Sequence, residues 1–243
     1  MKENFKKRRK SIAIIALLLV LGGIVNHFST YNLIQAQAVF PIFNQDESAN
    51  DPFVMQVKFK NVESQKIKDS FKQVWKQYEK LHEYEITLVQ QNVDSSTMQA
   101  QPVITLRSLF TGIKRYRINI STHIRGDKSL KLASLSESVL TGWFAHEMGH
   151  VMDYQQYSNL EMVWYGAKYY FSNKFKRIVE HDADYIAIAN GFHREIAVTK
   201  KFILEHNSIS LDYKNRIKRY YLPEEDVLMC SKDKELLEPY MNL

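Results

Sequence analysis

Residues 134–154 read SLSESVLTGWFAHEMGHVMDY and set the organisation of the C-terminal half of the chain. Ser134 or Ser136 can cap the start of a helix, because a serine hydroxyl accepts hydrogen bonds from the free amides of a first turn. His146 and His150 are four residues apart and therefore project from one face of that helix. The apolar residues around the histidines are Leu140, Trp143, Phe144, Ala145, Val151 and Met152. The stretch predicts a buried helix that carries two histidines side by side.

The His146-Glu147-Met148-Gly149-His150 segment has the spacing that a hydrolytic zinc site needs. Both imidazoles can reach one tetrahedral Zn²⁺, at about 2.0–2.1 Å. Glu147 is rotated by about 100° from His146, so it is badly placed to ligate but well placed to act on a water beside the metal. The alternative is a helix with two surface histidines. The apolar neighbourhood argues against that alternative, because buried imidazoles need polar partners.

A catalytic zinc site also needs a third protein ligand. Thirty residues after His150 the chain reads Glu180-His181-Asp182-Ala183-Asp184, within a predicted helix over 178–190. Glu180 and Asp184 share a helix face, whereas His181 and Asp182 are rotated away from it. One of the two acids on that face can bind the metal while the other accepts a ligand imidazole N–H. His181 and Asp182 remain competing third ligands.

HEMGH followed by E-x-x-A-D on a later helix, with Ala187 one turn beyond, resembles the gluzincin metallopeptidases. The likeness is strongest to the class that includes the CAAX prenyl endopeptidases, the bacterial heat-shock membrane proteases and their small soluble relatives. It covers roughly residues 115–191 and implies a zincin-like fold, with Glu180 as third zinc ligand and Asp184 supporting a ligand histidine. The membrane members of that class have several spanning helices, so activity on lipidated substrates is not implied here. A metzincin is excluded, because VMDYQQY after His150 lacks the glycine and the third histidine of the extended motif.

The pattern before residue 130 predicts a small sheet, and the pattern after it predicts helices, so the expected class is α+β with a small N-terminal mixed sheet and a mostly helical C-terminal half. Alternating apolar residues and β-branched runs indicate the strands, and apolar residues at three- and four-residue steps indicate the first helix. The predicted strands are 54–60, 86–89, 103–106 and 116–122, and the predicted first helix is 63–82.

The N-terminal forty residues have the pattern of a targeting segment. A basic cluster, KKRRK, precedes the apolar stretch at 12–25. We expect residues 1–38 to form a single-pass anchor or a signal peptide, residues 39–53 a linker, and residues 54–243 the metallopeptidase domain. The basic cluster would stay in the cytoplasm and the catalytic domain would lie on the far side of the membrane. Cleavage of a signal peptide would instead make the protein secreted or periplasmic.

Charge and cysteine content exclude several classes of protein. The formal net charge is +6, but the first ten residues carry six basic side chains and one acidic one. The remaining 27 basic and 26 acidic side chains nearly cancel, so the body has no basic surface for nucleic acid. A single cysteine, Cys230, can form neither an intramolecular disulfide nor a cysteine zinc site.

These patterns predict a membrane-tethered zinc endopeptidase that acts on a peptide or protein substrate. Glu147 would take a proton from a water on zinc, and an extended substrate would pair with the strand at 116–122. Asp153 is expected to be a solvated acid, or else to support the site. The donor that stabilises the oxyanion stays open among His193, His206, Tyr154, Tyr165 and Tyr170. Two alternatives are a zinc-bearing sensor or interaction module that no longer cleaves, and a membrane-anchored adaptor without metal.

Overall fold

The computed structural model describes residues 57–91 and 96–243, which belong to one compact unit, Asp51–Leu243. The unit is mixed α+β, mostly helical, with a small mixed sheet, as the sequence predicts. The strands are β1 (Val57–Lys60), β2 (Glu85–Gln90), β3 (Met98–Pro102), β4 (Arg115–Ile120), β5 (His123–Ile124) and β6 (Asp127–Lys131). The helices are α1 (Gln65–Gln77), α2 (Leu106–Thr111), α3 (Glu137–Tyr154), α4 (Asn159–Phe171), α5 (Asn173–Ala189), α6 (His193–Glu205), α7 (Leu211–Tyr220), α8 (Glu224–Cys230) and α9 (Lys234–Met241).

The main sheet has the strand order β1-β2-β4-β3. β1, β2 and β4 run parallel, whereas β3 runs antiparallel to β4 and lies at the edge of the sheet. The prediction that the strand at 116–122 is free to pair with substrate is therefore wrong, because β4 is hydrogen-bonded on both sides. The predicted strand at 103–106 is also wrong. The chain leaves the sheet at Pro102, and Thr105 instead caps α2.

Helix α1 packs against α3 and contacts strand β1, where the ring of Phe71 lies edge-on to that of Phe59 at 6.1 Å. Ser64 caps α1 by accepting a hydrogen bond from the amide of Ile67. The buried apolar face of α1 includes Phe71, whose ring lies edge-on to that of Phe144 in α3, with 5.3 Å between the ring centres. The hydroxyl of Tyr78, just after α1, donates to the carbonyl oxygen of Ala145, 2.7 Å away. These contacts fix α3 against α1.

Helix α3 is the centre of the helical half. Ser136 caps it by accepting from the amide of Val139, and every residue from Val139 to Tyr154 is buried. The helix packs against α1, α5 and α6, and also contacts strand β3. Because α3 is buried on all sides, its apolar residues are spread around the whole circumference and not confined to one face. The polar residues within it are consequently enclosed by protein.

Within the described ranges, 57–91 and 96–243, no helix is both long enough and apolar enough to cross a bilayer. This finding contradicts the single-pass localisation expected from the sequence, and that expectation is withdrawn. The apolar stretch at 12–25, the signal peptide alternative and the linker at 39–53 lie outside the described residues.

Candidate metal centre

Helices α3 and α5 bring His146, His150 and Glu180 together in the protein interior. One ligand atom from each residue lies within 4.8 Å of the other two, and all three residues are buried. Glu180 Oε2 is 3.1 Å from His146 Nε2 and 3.4 Å from His150 Nε2. These three residues can hold a metal ion.

The spacing of these atoms fits a tetrahedral ion. Ligand atoms at about 2.0–2.1 Å from a tetrahedral Zn²⁺ are about 3.3 Å from one another. The distances from Glu180 to the two histidines lie close to this value. The donor set of two imidazoles and one carboxylate is also one that catalytic zinc sites use, with a fourth position left for water. The residues present therefore fit the ion that the motif implies.

Asp184 supports His146 from one turn further along α5. Asp184 Oδ1 lies 2.9 Å from His146 Nδ1, which directs His146 Nε2 toward Glu180. The other oxygen of Asp184 accepts from Lys200 Nζ at 2.7 Å and from the amide of Leu222 at 3.1 Å. Although burial acts to raise it, Lys200 and His146 lower the pKa of Asp184 to about 2. Asp184 is thus an ionised residue that fixes the orientation of a ligand ring.

Glu180 is held by groups other than the histidines as well. The hydroxyl of Tyr169, on α4, donates to Glu180 Oε1, so that oxygen is turned away from the pair of imidazoles. Burial acts to raise the pKa of Glu180, but hydrogen bonds from His146 and His150 hold it well below its ordinary value. Burial likewise opposes charge on His146, yet Asp184 and Glu180 raise the pKa of that ring to about 10. The carboxylate is therefore ionised, as a metal ligand must be.

Glu147 lies beside the three candidate ligands without being one of them. Its Oε2 accepts a 2.6 Å hydrogen bond from the amide of Ala100, on the outer edge of β3. Its other oxygen, Oε1, accepts no hydrogen bond from the described residues. Burial raises the pKa of Glu147, against the opposing effect of His150 and His146. A carboxylate with a raised pKa and one uncommitted oxygen is suited to exchange a proton with water.

Aromatic residues enclose the His150 side of the centre. The ring of Tyr154 stacks on His150 at 6.1 Å and lies edge-on to Tyr165 at 5.5 Å. Asp153 is buried, not solvated, and accepts from the Tyr165 hydroxyl at 2.6 Å. Asp153 therefore supports this aromatic wall. His150 Nδ1 is buried and has no hydrogen-bond partner in the described structure.

The structure separates the remaining predicted candidates. His181 and Asp182 are not in the ligand cluster, and Asp182 instead accepts a hydrogen bond from Tyr240. Tyr165 is committed to Asp153, and Tyr170 is 77% exposed. Of the five predicted oxyanion donors, Tyr154 is the one whose ring lies against His150, and its hydroxyl donates to the carbonyl oxygen of Ala100 at 3.4 Å.

Several residues of the site were not anticipated. Tyr169, Lys200 and Tyr221 carry no motif, and they lie 11, 20 and 41 positions from Glu180 in the sequence. Tyr221 packs its ring 5.2 Å from that of His146. Gly149 was visible inside the HEMGH segment, and its lack of a side chain is the signal that predicts close approach of another helix.

Comparison with protein-family models, with curated proteins and with solved structures finds no match to this chain. The assignment of the site therefore depends on its own geometry.

Proposed function

We propose that this protein is a zinc-dependent metallopeptidase of the gluzincin type with a zincin-like fold. The observation that carries the proposal is the convergence of His146, His150 and Glu180 on one point, with Glu147 next to them and free of the ligand set. Two imidazoles and a carboxylate are a ligand set of zinc hydrolases, and the separate glutamate is the base that hydrolysis requires.

In the proposed mechanism His146, His150 and Glu180 hold the ion, Asp184 keeps His146 in the ligating tautomer, and Tyr169 orients Glu180. Zinc, when bound, polarises a carbonyl and lowers the pKa of a water toward about 7. Glu147 Oε1 accepts a proton from the attacking water and returns it to the departing amine. The Ala100 amide holds the second oxygen of Glu147, so the base keeps one orientation through both transfers.

The substrate is proposed to be an extended peptide along the outer edge of β3. This edge strand replaces the strand at 116–122 in that role, because β4 has neighbours on both sides. Backbone amide and carbonyl groups point to the same edge of a strand at every second residue. The amide and carbonyl of Met98 therefore lie on the same edge as the Ala100 amide that contacts Glu147. At Ala100 the outward amide is held by Glu147, and the outward carbonyl oxygen accepts from the Tyr154 hydroxyl at 3.4 Å. A peptide would therefore pair with this edge at Met98, beside the proposed base, and backbone pairing imposes little sequence preference.

A second function is a zinc-bearing interaction module that does not cleave peptides. Two observations favour it: the amide of Ala100 already binds Glu147, and Glu147 is only 5% exposed. In such a module the carboxylate would tie α3 to β3 and would not need to reach water.

One experiment tests both functions. Wild type, Glu147→Gln and Glu180→Ala are purified with zinc and incubated with a proteome-derived peptide library, and new termini are identified by mass spectrometry. We expect cleavage by wild type, full zinc content without cleavage in Glu147→Gln, and neither in Glu180→Ala. Glu205→Gln, an exposed residue at the end of α6, is the matched control. Full activity of Glu147→Gln would refute the base, and zinc binding without cleavage in wild type would favour the interaction module.

A further inference from the structure

A cavity extends from the candidate centre on the side of Glu147. It lies between α3, α6 and α7, with a volume of about 40 Å³. His146 and Glu147 line it, but His150 and Glu180 do not. Gly142 also lines it, and a β-carbon there would lie 2.2 Å from the carbonyl oxygen of Glu195, so α6 forms its wall at close range. The cavity is thus a side pocket next to the proposed base.

Two cationic side chains line the cavity, and one of them forms an ion pair while the other does not. Lys200 is bound to Asp184 at 2.7 Å, and both side chains are buried. Arg216, on α7, also lines the cavity but forms no ion pair with any acid in the described ranges. Its guanidinium carbon lies 5.7 Å from the centre of the Tyr220 ring. Arg216 is therefore a partly buried cation whose hydrogen-bond donors have no carboxylate within the described structure.

A bound metal would make the net charge around the cavity positive. Around the cavity Glu147 and Asp184 balance Lys200 and Arg216. A divalent ion held by two neutral imidazoles and Glu180 contributes one further positive charge. The filled site therefore carries about one positive charge in surroundings of low dielectric constant, where an anion is attracted strongly. A guanidinium matches a carboxylate with two parallel hydrogen bonds.

The size of the cavity limits what can enter. A volume of about 40 Å³ accommodates about three water molecules, since each needs about 10–15 Å³ on the same measure. The carboxymethyl side chain of aspartate has four heavy atoms and is of this size. The apolar walls, which include Trp143 and Ile217, suit its methylene group. Large aromatic side chains do not fit.

We propose that this cavity binds a carboxylate of the substrate residue whose amine is released on cleavage. The inference rests on the proposed function, in which Glu147 donates a proton to that amine and the pocket beside Glu147 receives the same residue. The carboxylate can belong to an aspartate side chain or to the free C-terminus of a short substrate. Arg216 is the residue that determines the preference.

The test compares three peptides that are identical except at the residue after the cleaved bond. The first has aspartate there and an amidated C-terminus, the second has alanine with a free C-terminus at that residue, and the third has alanine with an amidated C-terminus. We expect at least one carboxylate peptide to be cleaved about tenfold faster than the amidated alanine peptide, and the faster one identifies the source. Equal rates for the three would overturn the inference and leave the peptidase proposal standing.

A binding measurement separates the pocket from catalysis. Zinc-loaded Glu147→Gln is titrated calorimetrically with the same peptides, and we expect the carboxylate peptide to bind about tenfold more tightly. Adding Arg216→Gln should reduce that ratio to about one while the zinc content stays the same. Arg219→Gln, an exposed arginine on the same helix, is the matched control and should keep the ratio. Selective binding without cleavage by wild type would support the pocket and refute the peptidase. A ratio unaffected by Arg216→Gln would overturn the role of that residue.

Discussion

A β-carbon at Gly149 would lie 2.4 Å from the carbonyl oxygen of Ala183. The glycine is the fourth residue of the HEMGH segment, and the alanine lies between Glu180 and Asp184 on α5. The missing side chain therefore lets α5 approach α3 closely enough for Glu180 to come within 3.1 Å of His146. The motif that contains two of the candidate ligands thus also admits the helix that carries the third.

Gly149→Ala is expected to weaken both the fold and the metal site. The added methyl group meets backbone, which cannot rotate away, so we expect a loss of about 1–3 kcal/mol in the free energy of unfolding. Zinc content and urea unfolding measure the two effects. Gly166→Ala is the control, because a β-carbon at Gly166 in α4 meets nothing within 4 Å, and alanine there should add about 0.5–1 kcal/mol. Unchanged zinc affinity in Gly149→Ala would contradict the packing argument.

Asp184→Asn is expected to lower zinc affinity by about 10–100-fold, because His146 loses the carboxylate that fixes its tautomer. It also leaves Lys200 buried without its counter-charge, which costs about 3–5 kcal/mol of stability. The double variant Asp184→Asn/Lys200→Met should recover much of the stability but not the zinc affinity. Recovery of both would show that Asp184 acts on the fold alone. Chemical unfolding and competition with a zinc indicator measure the two quantities separately.

Tyr169→Phe removes the hydroxyl that donates to Glu180 Oε1. A hydrogen bond to a charged group contributes about 1.5–3 kcal/mol, and we expect zinc affinity to fall by about tenfold because the carboxylate is less well oriented. Tyr170→Phe is a close control, since the neighbouring ring is exposed and contacts Phe171. Equal zinc affinities for these two variants would remove Tyr169 from the site. The readout is zinc competition, which does not require enzymatic activity.

Zinc removal should destabilise the wild type. An ion that binds the folded chain at one hundred times its Kd adds about 2.7 kcal/mol to the free energy of unfolding, so a chelator should lower the Tm and excess zinc should restore it. The same additions should leave the Tm of Glu180→Ala nearly unchanged, because the third ligand is missing. A chelator effect of equal size in both proteins would place the metal elsewhere.

Asp127 predicts a separate dependence of stability on pH. Hydrogen bonds from Ser129 and Ser208 lower the pKa of Asp127 to about 2, and the bond from Ser208 ties β6 to the loop before α7. An unfolded aspartate has a pKa of about 3.9. The stabilisation is therefore complete above about pH 4 and is lost as the pH falls toward 2.

Asp127→Asn lacks that titration and should lose less stability than wild type between pH 5 and pH 2.5. Urea unfolding at the two pH values measures the difference. The buried acids near the candidate metal centre are the same in both proteins, so their contribution cancels in the comparison. An identical pH dependence in the variant would contradict the assignment to Asp127.

The strands that were predicted correctly are those with β-branched, apolar runs. Strand β3 was missed because its sequence, MQAQP, has little β-propensity and contains proline. It is nevertheless a strand, because one edge of β3 pairs with β4 and, on the opposite edge, Glu147 holds the amide of Ala100. Proline is tolerated at the end of an edge strand, where a missing amide leaves no gap in the sheet.

Local spacing was enough to predict the helix around His146 and His150 and the separate position of Glu147, and it left Ser134 and Ser136 as alternative caps, of which the structure has Ser136. These features depend on 3.6 residues per turn and on side-chain polarity, which can be read within one stretch of chain. Spacing did not identify Lys200 or Tyr169, and it did not identify β3 as the edge strand beside the base. Those depend on how α4, α5 and α6 pack around α3, and contacts between distant segments follow from the shapes of the surfaces that meet.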